Sequence, residues 1–313
     1  MKIGLDIMGG DYAPKATVLG AIAAHQNLSE NQHLVLFGDK NEAIPILKEQ
    51  NFNPDHFEFV HTTEVIGMGE HPTKAIVQKP NSSISVGFQM LKEGKIDAFA
   101  SAGNTGAMLV GAMFSVKAIQ GVLRPAISAI IPKEKGGFAI LLDAGANADC
   151  KPEHLTQFGI MGSLFSKYVY QIEIPKVGLM NLGEEAEKGN LITQTTYPLL
   201  KETAQINFIG NIEGRDLFND KADVIVCDGF TGNIILKLAE SFYVLTLKRG
   251  LKDEFFDRFN YEQYGGSPIL GVNAPVMIGH GISSPEAIKN MILHSKNMVE
   301  SKIIERFQNA FNS

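Results

Sequence analysis

The stretch Asp97–Leu109, Asp-Ala-Phe-Ala-Ser-Ala-Gly-Asn-Thr-Gly-Ala-Met-Leu, constrains the fold more than any other. A short apolar run, Ala98 to Ala100, breaks at Gly103 and gives way to an Ala/Met/Leu/Val segment of helical type. That order is strand, tight glycine loop, helix. The first turn of a helix carries backbone N–H groups with no partner inside the helix, which makes it a natural seat for an anion. Gly103 and Gly106 allow a ligand close to the backbone, and Asn104 and Thr105 add side-chain donors. The same device returns within Asp223–Leu236, where Asp228-Gly229-Phe230-Thr231-Gly232-Asn233 joins an apolar run to a helical one. Both copies contain Gly-x-Thr-Gly. They read as two anion-facing loops, with a plain turn and helix cap as the alternative at each.

The rest of the chain alternates in the same way. Ile3–Ile7, His33–Phe37, Phe57–Val60, Ala126–Ile131, Phe138–Leu142, Val177–Met180, Ile206–Ile209 and Val276–Ile278 read as strands, with helical spacing between most of them. Ala126–Ile131 and Phe138–Leu142 can pair as a hairpin. Glu64–Pro80 reads as a long irregular loop, and Ser241–Phe259 as amphipathic. Ser283-Ser-Pro-Glu286 opens a terminal helix with capping-box spacing, whose buried face runs through Ile288, Ile292, Val299, Ile303 and Phe307. This pattern predicts an α/β fold, three layers α/β/α, with a mostly parallel sheet. No Pro/Gly/Ser-rich linker divides it, so one continuous domain, 1–313, is expected, with two lobes around a cleft as an allowed arrangement.

A net charge of −6 and the lack of a basic run argue against nucleic acid, though not against a small anion, which needs positive potential only locally. Two cysteines, Cys150 and Cys227, without a CxxC pair or a His/Cys cluster, argue against structural zinc or a disulfide framework and suggest a reduced, cytoplasmic setting. The chain enters a strand at once, no apolar run reaches the ~18 residues of a spanning helix, and neither a leader nor a membrane span is expected. GxGxxG after the first strand, GxxxxGK[ST], HExxH and GxSxG are missing, as is the His-x4-Asp spacing of many glycerolipid acyltransferases.

The candidate site therefore rests on small loops. Lys188, in the glycine-flanked Gly183–Gly189 loop, can supply positive charge to an anion or simply neutralise Glu184, Glu185 and Glu187. His280, between Gly279 and Gly281, can donate to phosphate or act as acid and base, or be a turn histidine. Asp6 and Asp11 flank Gly9-Gly10 and are better read as a structural turn than as metal ligands; no metal and no cofactor is called for. Neither cysteine has a histidine placed beside it by motif, which argues against a covalent nucleophile.

Taken together, Asp6-x-Met8-Gly9-Gly10-Asp11-x-x-Pro14, Pro72-x-x-Ala75, Ser101-Ala-Gly-Asn-Thr-Gly106, Asn181-x-Gly-x-Glu185-x-x-Lys188-Gly189, Asp228-Gly-Phe-Thr-Gly-Asn233 and Gly279-His280-Gly281 resemble the bacterial phosphate acyltransferases of phospholipid synthesis, over essentially the whole chain. One departure is Gln78–Ser83, which is less basic than the family pattern and carries Pro80. The resemblance implies a fold related to the isocitrate/isopropylmalate dehydrogenases and phosphotransacetylases, and a homodimer. It implies transfer of a long-chain acyl group from acyl carrier protein to orthophosphate, the acyl phosphate then feeding a membrane glycerol-3-phosphate acyltransferase. On this reading Lys188, Asn104 and His280 are catalytic. Gly103, Asn104, Thr105, Gly106, Asp228, Gly229, Thr231, Gly232, Asn233 and Gly281 bind phosphate or the acyl group. It also implies peripheral membrane attachment, for which 251–259, with Leu251, Phe255 and Phe259 on one helical face and Phe256 beside it, is the candidate. Its mixed-charge polar face also suits a core or dimer-contact helix. Competing readings are a phosphotransacetylase-type enzyme using acyl-coenzyme A, a dehydrogenase of related fold, and a non-enzymatic phosphate-binding membrane scaffold.

Overall fold

A computed structural model describes residues 1–312 of the chain. The strands are β1 (Lys2–Asp6), β2 (His33–Gly38), β3 (Glu58–His61), β4 (Ala98–Ser101), β5 (Ala126–Pro132), β6 (Phe138–Leu142), β7 (Lys176–Met180), β8 (Asn207–Ile212), β9 (Val224–Val226), β10 (Ser267–Leu270) and β11 (Val276–Ile278). The helices are α1 (Lys15–His25), α2 (Lys40–Glu49), α3 (Pro72–Gln78), α4 (Ser83–Lys92), α5 (Thr105–Gly111), α6 (Pro152–Tyr168), α7 (Leu191–Glu202), α8 (Gly229–Lys248), α9 (Glu254–Asp257), α10 (Pro285–Glu300) and α11 (Ile303–Phe311). The chain divides into two compact units. The first comprises Met1–Ala118 with Glu262–Ile304, the second Ile119–Tyr261 with the residues from Glu305 on.

In the first unit the strand order is β3-β2-β1-β4-β11-β10, parallel except for β10, which runs antiparallel to β11. The chain steps outward from β1 to β2 and β3, then returns to lay β4 on the other side of β1. Strand order reverses at that point, so the carboxyl ends of β1 and β4 flank the crevice where open α/β sheets place ligands. The core is aromatic. Phe99 meets Phe37 and Phe88 edge-on, with ring centroids 5.6 and 5.2 Å apart. Glycines make room for these rings: a Cβ on Gly87 of α4 would lie 2.2 Å from the Phe99 ring, and one on Gly111 2.2 Å from Phe88.

The second unit has the order β5-β6-β9-β7-β8. Strands β5 and β6 form the expected antiparallel hairpin, while β6, β9, β7 and β8 are parallel. A buried ion pair, Lys133 Nζ to Asp223 Oδ1 at 2.6 Å, ties the hairpin to the entry of β9, and Asp223 also accepts from the Lys176 amide at 2.9 Å.

Several local expectations change. The stretch 64–80 is not irregular throughout: Pro72 starts α3, because a proline is pre-organised for a first helical turn. Strand β10 went unread, since Ser267-Pro-Ile-Leu270 is short and begins beside a proline. The terminal helix is two helices, broken where Lys302 takes a left-handed φ of 54°. The stretch 241–259 is also interrupted. Helix α8 ends at Lys248, and only Glu254–Asp257 is helical beyond it. The phenylalanines of that last piece turn inward: Phe255 and Phe259 pack on Phe218 at 6.0 and 5.5 Å, and Phe256 and Phe259 on Phe242 at 6.2 and 6.0 Å. Of the apolar face expected to meet a membrane at 251–259, Phe259 is buried in this aromatic cluster, while Phe255 and Phe256 stay half-exposed. Leu251 stays exposed.

His294 of α10 is buried, bonded to the Tyr264 backbone, and its pKa is pushed down to about 4 by burial. A histidine held neutral in the fold contributes stability above its unfolded pKa, and that contribution disappears as pH falls from ~6.5 toward 4. Urea unfolding of the wild type should therefore lose about 3 kcal/mol over that window, and His294→Gln should remove most of this dependence; equal slopes for both proteins would contradict the burial argument.

Candidate active site

Three loops leave the carboxyl ends of the adjacent strands β1, β4 and β11, and a buried carboxylate joins two of them. Asp6 accepts hydrogen bonds from Ser101 Oγ at 2.6 Å and from the Met8 amide at 2.9 Å. Ser101 Oγ in turn accepts from the Gly103 amide at 2.9 Å. Burial pushes the Asp6 carboxyl upward in pKa, against the lowering effect of these bonds and of the Ser83 hydroxyl. The loops touch backbone to backbone: a Cβ on Gly9 would sit 2.6 Å from the Gly103 nitrogen and 2.4 Å from the Asp6 carboxylate. Gly10 has φ of 107°, and the Asp11 amide donates to the Gly281 carbonyl at 2.7 Å. Asp6 and Asp11 thus belong to a structural turn, as their spacing suggested.

This wiring decides which groups of the first glycine loop are available. The Gly103 amide is spent on Ser101. The Asn104 side chain, expected as a catalytic donor, is also spent. Its Oδ1 caps α5 by accepting from the Ala107 amide at 2.9 Å, and its Nδ2 serves the carbonyls of Gly67, Met68 and Glu70 at 3.1, 3.1 and 3.0 Å. Asn104 is therefore a buried pin that holds the 64–71 segment against the start of α5. Lys79, in the stretch that departs from the family pattern, closes the same segment through Glu70 Oε1 at 2.5 Å and the Val65 carbonyl at 2.8 Å. The amides of Thr105 and Gly106 have no acceptor among the described residues, and Thr105 is exposed. His280 is half-buried, and its carbonyl accepts from the Ser283 amide and hydroxyl at 3.0 and 2.6 Å. Gly281 lies under Met68, whose methyl would be 2.8 Å from a Cβ there.

The second unit repeats the principle with a stronger carboxylate. Asp143 follows β6 and is fully buried. Its Oδ1 accepts from the amides of Ile127, Gly145 and Ala146 at 3.0, 3.2 and 3.1 Å, and its Oδ2 from the Asn147 amide and side chain at 2.6 and 2.9 Å. Asp143-Ala-Gly-Ala-Asn147 reads in the sequence as a small-residue loop at a strand end, and Leu142-Asp-Ala-Gly-Ala-Asn147 has the same strand–Asp–small-residue order as Leu5-Asp-Ile-Met-Gly-Gly10.

The 228–233 loop packs onto this carboxylate's loop. A Cβ on Gly232 would fall 1.8 Å from the Asp143 carbonyl oxygen, and one on Gly229 2.7 Å from Oδ2. The Gly229 amide donates to the Asn147 carbonyl at 2.8 Å, and Asn233 Nδ2 to the Ala144 carbonyl at 3.3 Å. Asp228 caps α8, accepting from the Thr231 amide at 2.8 Å and hydroxyl at 3.1 Å. Of the groups expected to face an anion here, Gly229, Thr231, Gly232 and Asn233 are thus largely committed to the loop itself. The Asp228 carboxylate would repel phosphate and serves as a cap.

Lys188 is different. It is exposed and forms no ion pair among the described residues. Glu184, which it was expected to neutralise, pairs instead with Lys221 at 2.6 Å. The loop around it is firmly built. Asn181 Nδ2 holds the Lys188 carbonyl at 3.0 Å, Asn211 Nδ2 holds the Glu185 carbonyl at 2.8 Å, and Gly189, with φ of 101°, leaves no room for a side chain beside Thr193. Glu184, Glu213 and Asp216 converge closely enough to ligate a cation, but Lys221 bridges Glu184 and Asp216 and Arg215 pairs with Glu213, so protein cations already fill that role.

Between the Lys188 loop and the start of α8 lies a cavity of about 340 Å³. Asn181, Asn190, Thr193, Asp228 and Thr231 line it together with five apolar side chains and Cys227. Burial pushes the Cys150 thiol up to about 11 and the Cys227 thiol well above its usual value, with Asp143 and Asp228 adding to the effect. Both thiols stay protonated at neutral pH and make poor nucleophiles.

The fold has solved counterparts. The EutD phosphotransacetylase from Staphylococcus aureus superposes with a TM-score of 0.65 at 17% identity, over 96% of this chain and 94% of that one. A phosphotransacetylase from Streptococcus pyogenes gives 0.66 at 16%, over 97% and 94%. A family model described as a fatty acid synthesis protein matches residues 1–306. The protein thus has the α/β/α fold of the phosphotransacetylases. Phosphate acyltransferases from Pelotomaculum thermopropionicum and Dictyoglomus turgidum are 43% and 42% identical to it over its whole length, covering 96% and 98% of their own. That of Desulforamulus reducens is 45% identical over 97% of the chain and 95% of the relative. The chain belongs to the phosphate acyltransferase family.

If Asn104 is a pin, Asn104→Asp should keep the α5 cap yet lose the bonds to Gly67, Met68 and Glu70. Amide hydrogen exchange at 67–71 should then accelerate tenfold or more, with the α5 amides little changed; unaltered exchange at 67–71 would show that the pin is dispensable.

Proposed function

We propose that this enzyme transfers a long-chain fatty acyl group from the thioester of acyl carrier protein to orthophosphate, giving acyl phosphate and the free carrier thiol. The observation that carries the site assignment is Lys188: an exposed ammonium without an ion pair among the described residues, in a loop whose backbone is fixed by Asn181, Asn211 and Gly189. Orthophosphate is anionic near neutral pH and needs positioning more than deprotonation. Lys188 Nζ supplies the positive charge that holds it. Gly103, Asn104, Asp228, Gly229, Thr231, Gly232, Asn233 and Gly281 support the reaction by fixing the loops.

One phosphate oxygen forms a bond to the thioester carbon, the carbon–sulfur bond breaks, and the sulfur leaves as a thiolate, a fair leaving group with a pKa near ~8.5. The proton given up by the phosphate balances the thiolate as free thiol, and a donor aimed at the carbonyl oxygen contributes about 3–4 kcal/mol. No covalent enzyme intermediate is needed, which agrees with two protonated cysteines.

The same reading includes a homodimer, with the exposed apolar stripe of α8, Phe230, Ile234, Leu238 and Leu245, as the face for a second copy. It includes a cytoplasmic enzyme peripherally attached to the membrane, where a glycerol-3-phosphate acyltransferase uses the product. No helix among the described residues is long and apolar enough to cross a membrane.

Lys188→Ala should raise KM for phosphate at least tenfold and leave KM for the acyl thioester nearly unchanged, with partial recovery in Lys188→Arg. Steady-state kinetics varying each substrate check this, and wild-type phosphate kinetics in Lys188→Ala would remove the lysine from the site. The same assay with palmitoyl-coenzyme A separates the carrier-protein reading from its coenzyme A alternative.

A further inference from the structure

The 340 Å³ cavity has no occupant among the groups assigned above. Its volume lies at the lower end of small-molecule pockets. Leu155 of α6, Met180 at the end of β7, Leu182 of the Lys188 loop, Leu217 and Ile235 of α8 form most of its wall. Of its five polar members, Asn181 Nδ2, Asn190 Oδ1 and Thr231 are bonded within their own loops, and Asp228 is the one charged side chain. Asn190 Oδ1 caps α7 through the Thr193 amide at 3.0 Å, and Thr231 is held by Asp228. The apolar wall is therefore left to select the ligand, and water gains few partners there. Two leucines flank the Lys188 loop with most of their surface in water, Leu182 at 71% and Leu191 at 81%. Apolar side chains held out at such a place are stabilised when an apolar ligand covers them. The cavity opens at the carboxyl ends of β7 and β9, where α/β sheets bind ligands.

We infer that this cavity takes the alkyl chain of the acyl group, so that Leu217 and Ile235 set how long a chain the enzyme accepts. The inference rests on the acyl-transfer reading. The chain lies against Leu155, Met180 and Leu217, and the carbonyl end stays toward the loop that carries Lys188. An alkyl chain suits this wall better than phosphate or a nucleotide would, because no cationic side chain lines it.

The test fills the cavity from either side in the full-length protein. Ile235→Trp and Leu217→Trp should each lower the ratio of palmitoyl to hexanoyl thioester kcat/KM tenfold or more. Both should also weaken binding of a fluorescent C18 polyene fatty acid by a similar factor, with circular dichroism confirming that at least one variant is folded. An unchanged ratio together with unchanged probe affinity in a folded variant would overturn the inference. If the wild type makes no acyl phosphate, the acyl-transfer reading has failed on its own. The probe then decides the cavity: weaker binding in the variants supports an alkyl site, and equal binding rejects it.

Discussion

Asp143 accepts five hydrogen bonds from its surroundings while fully buried, and the loops of the second unit depend on that one group. A carboxylate in the interior is costly unless donors surround it, and here the amides of the following loop supply them. The amides that a glycine-rich turn would otherwise offer to a ligand are thereby turned inward. The 228–233 loop then packs on the result so tightly that Gly229 and Gly232 admit no side chain. Asp6 does the same work in the first unit with Ser101 as its relay to Gly103. In both places a buried carboxyl group fixes the loop geometry by accepting hydrogen bonds, and only a few donors remain for an external anion.

The alternation of strands and helices was legible in the chain, as were the β5–β6 hairpin and the position of both Gly-x-Thr-Gly loops between a strand and a helix. Periodicity and punctuation carry that information locally. The use of each donor was not legible. Asn104 reads as a free amide beside two glycines, but its partners Gly67, Met68 and Glu70 come from a segment more than thirty residues away. Asp228 reads as part of an anion loop, but its charge has the wrong sign and its position is that of a cap. Lys188 went the other way. Three neighbouring glutamates suggested a neutralised lysine, and only the structure places Lys221 on Glu184 and leaves Lys188 without such a partner among the described residues. The inward turn of Phe255, Phe256 and Phe259 likewise depends on Phe218 and Phe242, which no local pattern connects to them.

On the proposed acyl transfer, the chemistry is one of placement. A phosphate nucleophile and a thioester electrophile react without a covalent enzyme intermediate once they are held in register, and a loop built around fixed carboxylates holds its amides without reorganisation. An apolar cavity beside the lysine-bearing loop suits the other half of the reaction, the alkyl tail, whose burial adds binding energy away from the reacting atoms.

The most direct measurement incubates the purified protein with palmitoyl-acyl carrier protein and orthophosphate and follows free carrier thiol and acyl phosphate together. Both should appear in equal amounts and only when phosphate is present. Thiol release without acyl phosphate, or release independent of phosphate, would identify a hydrolase and contradict it.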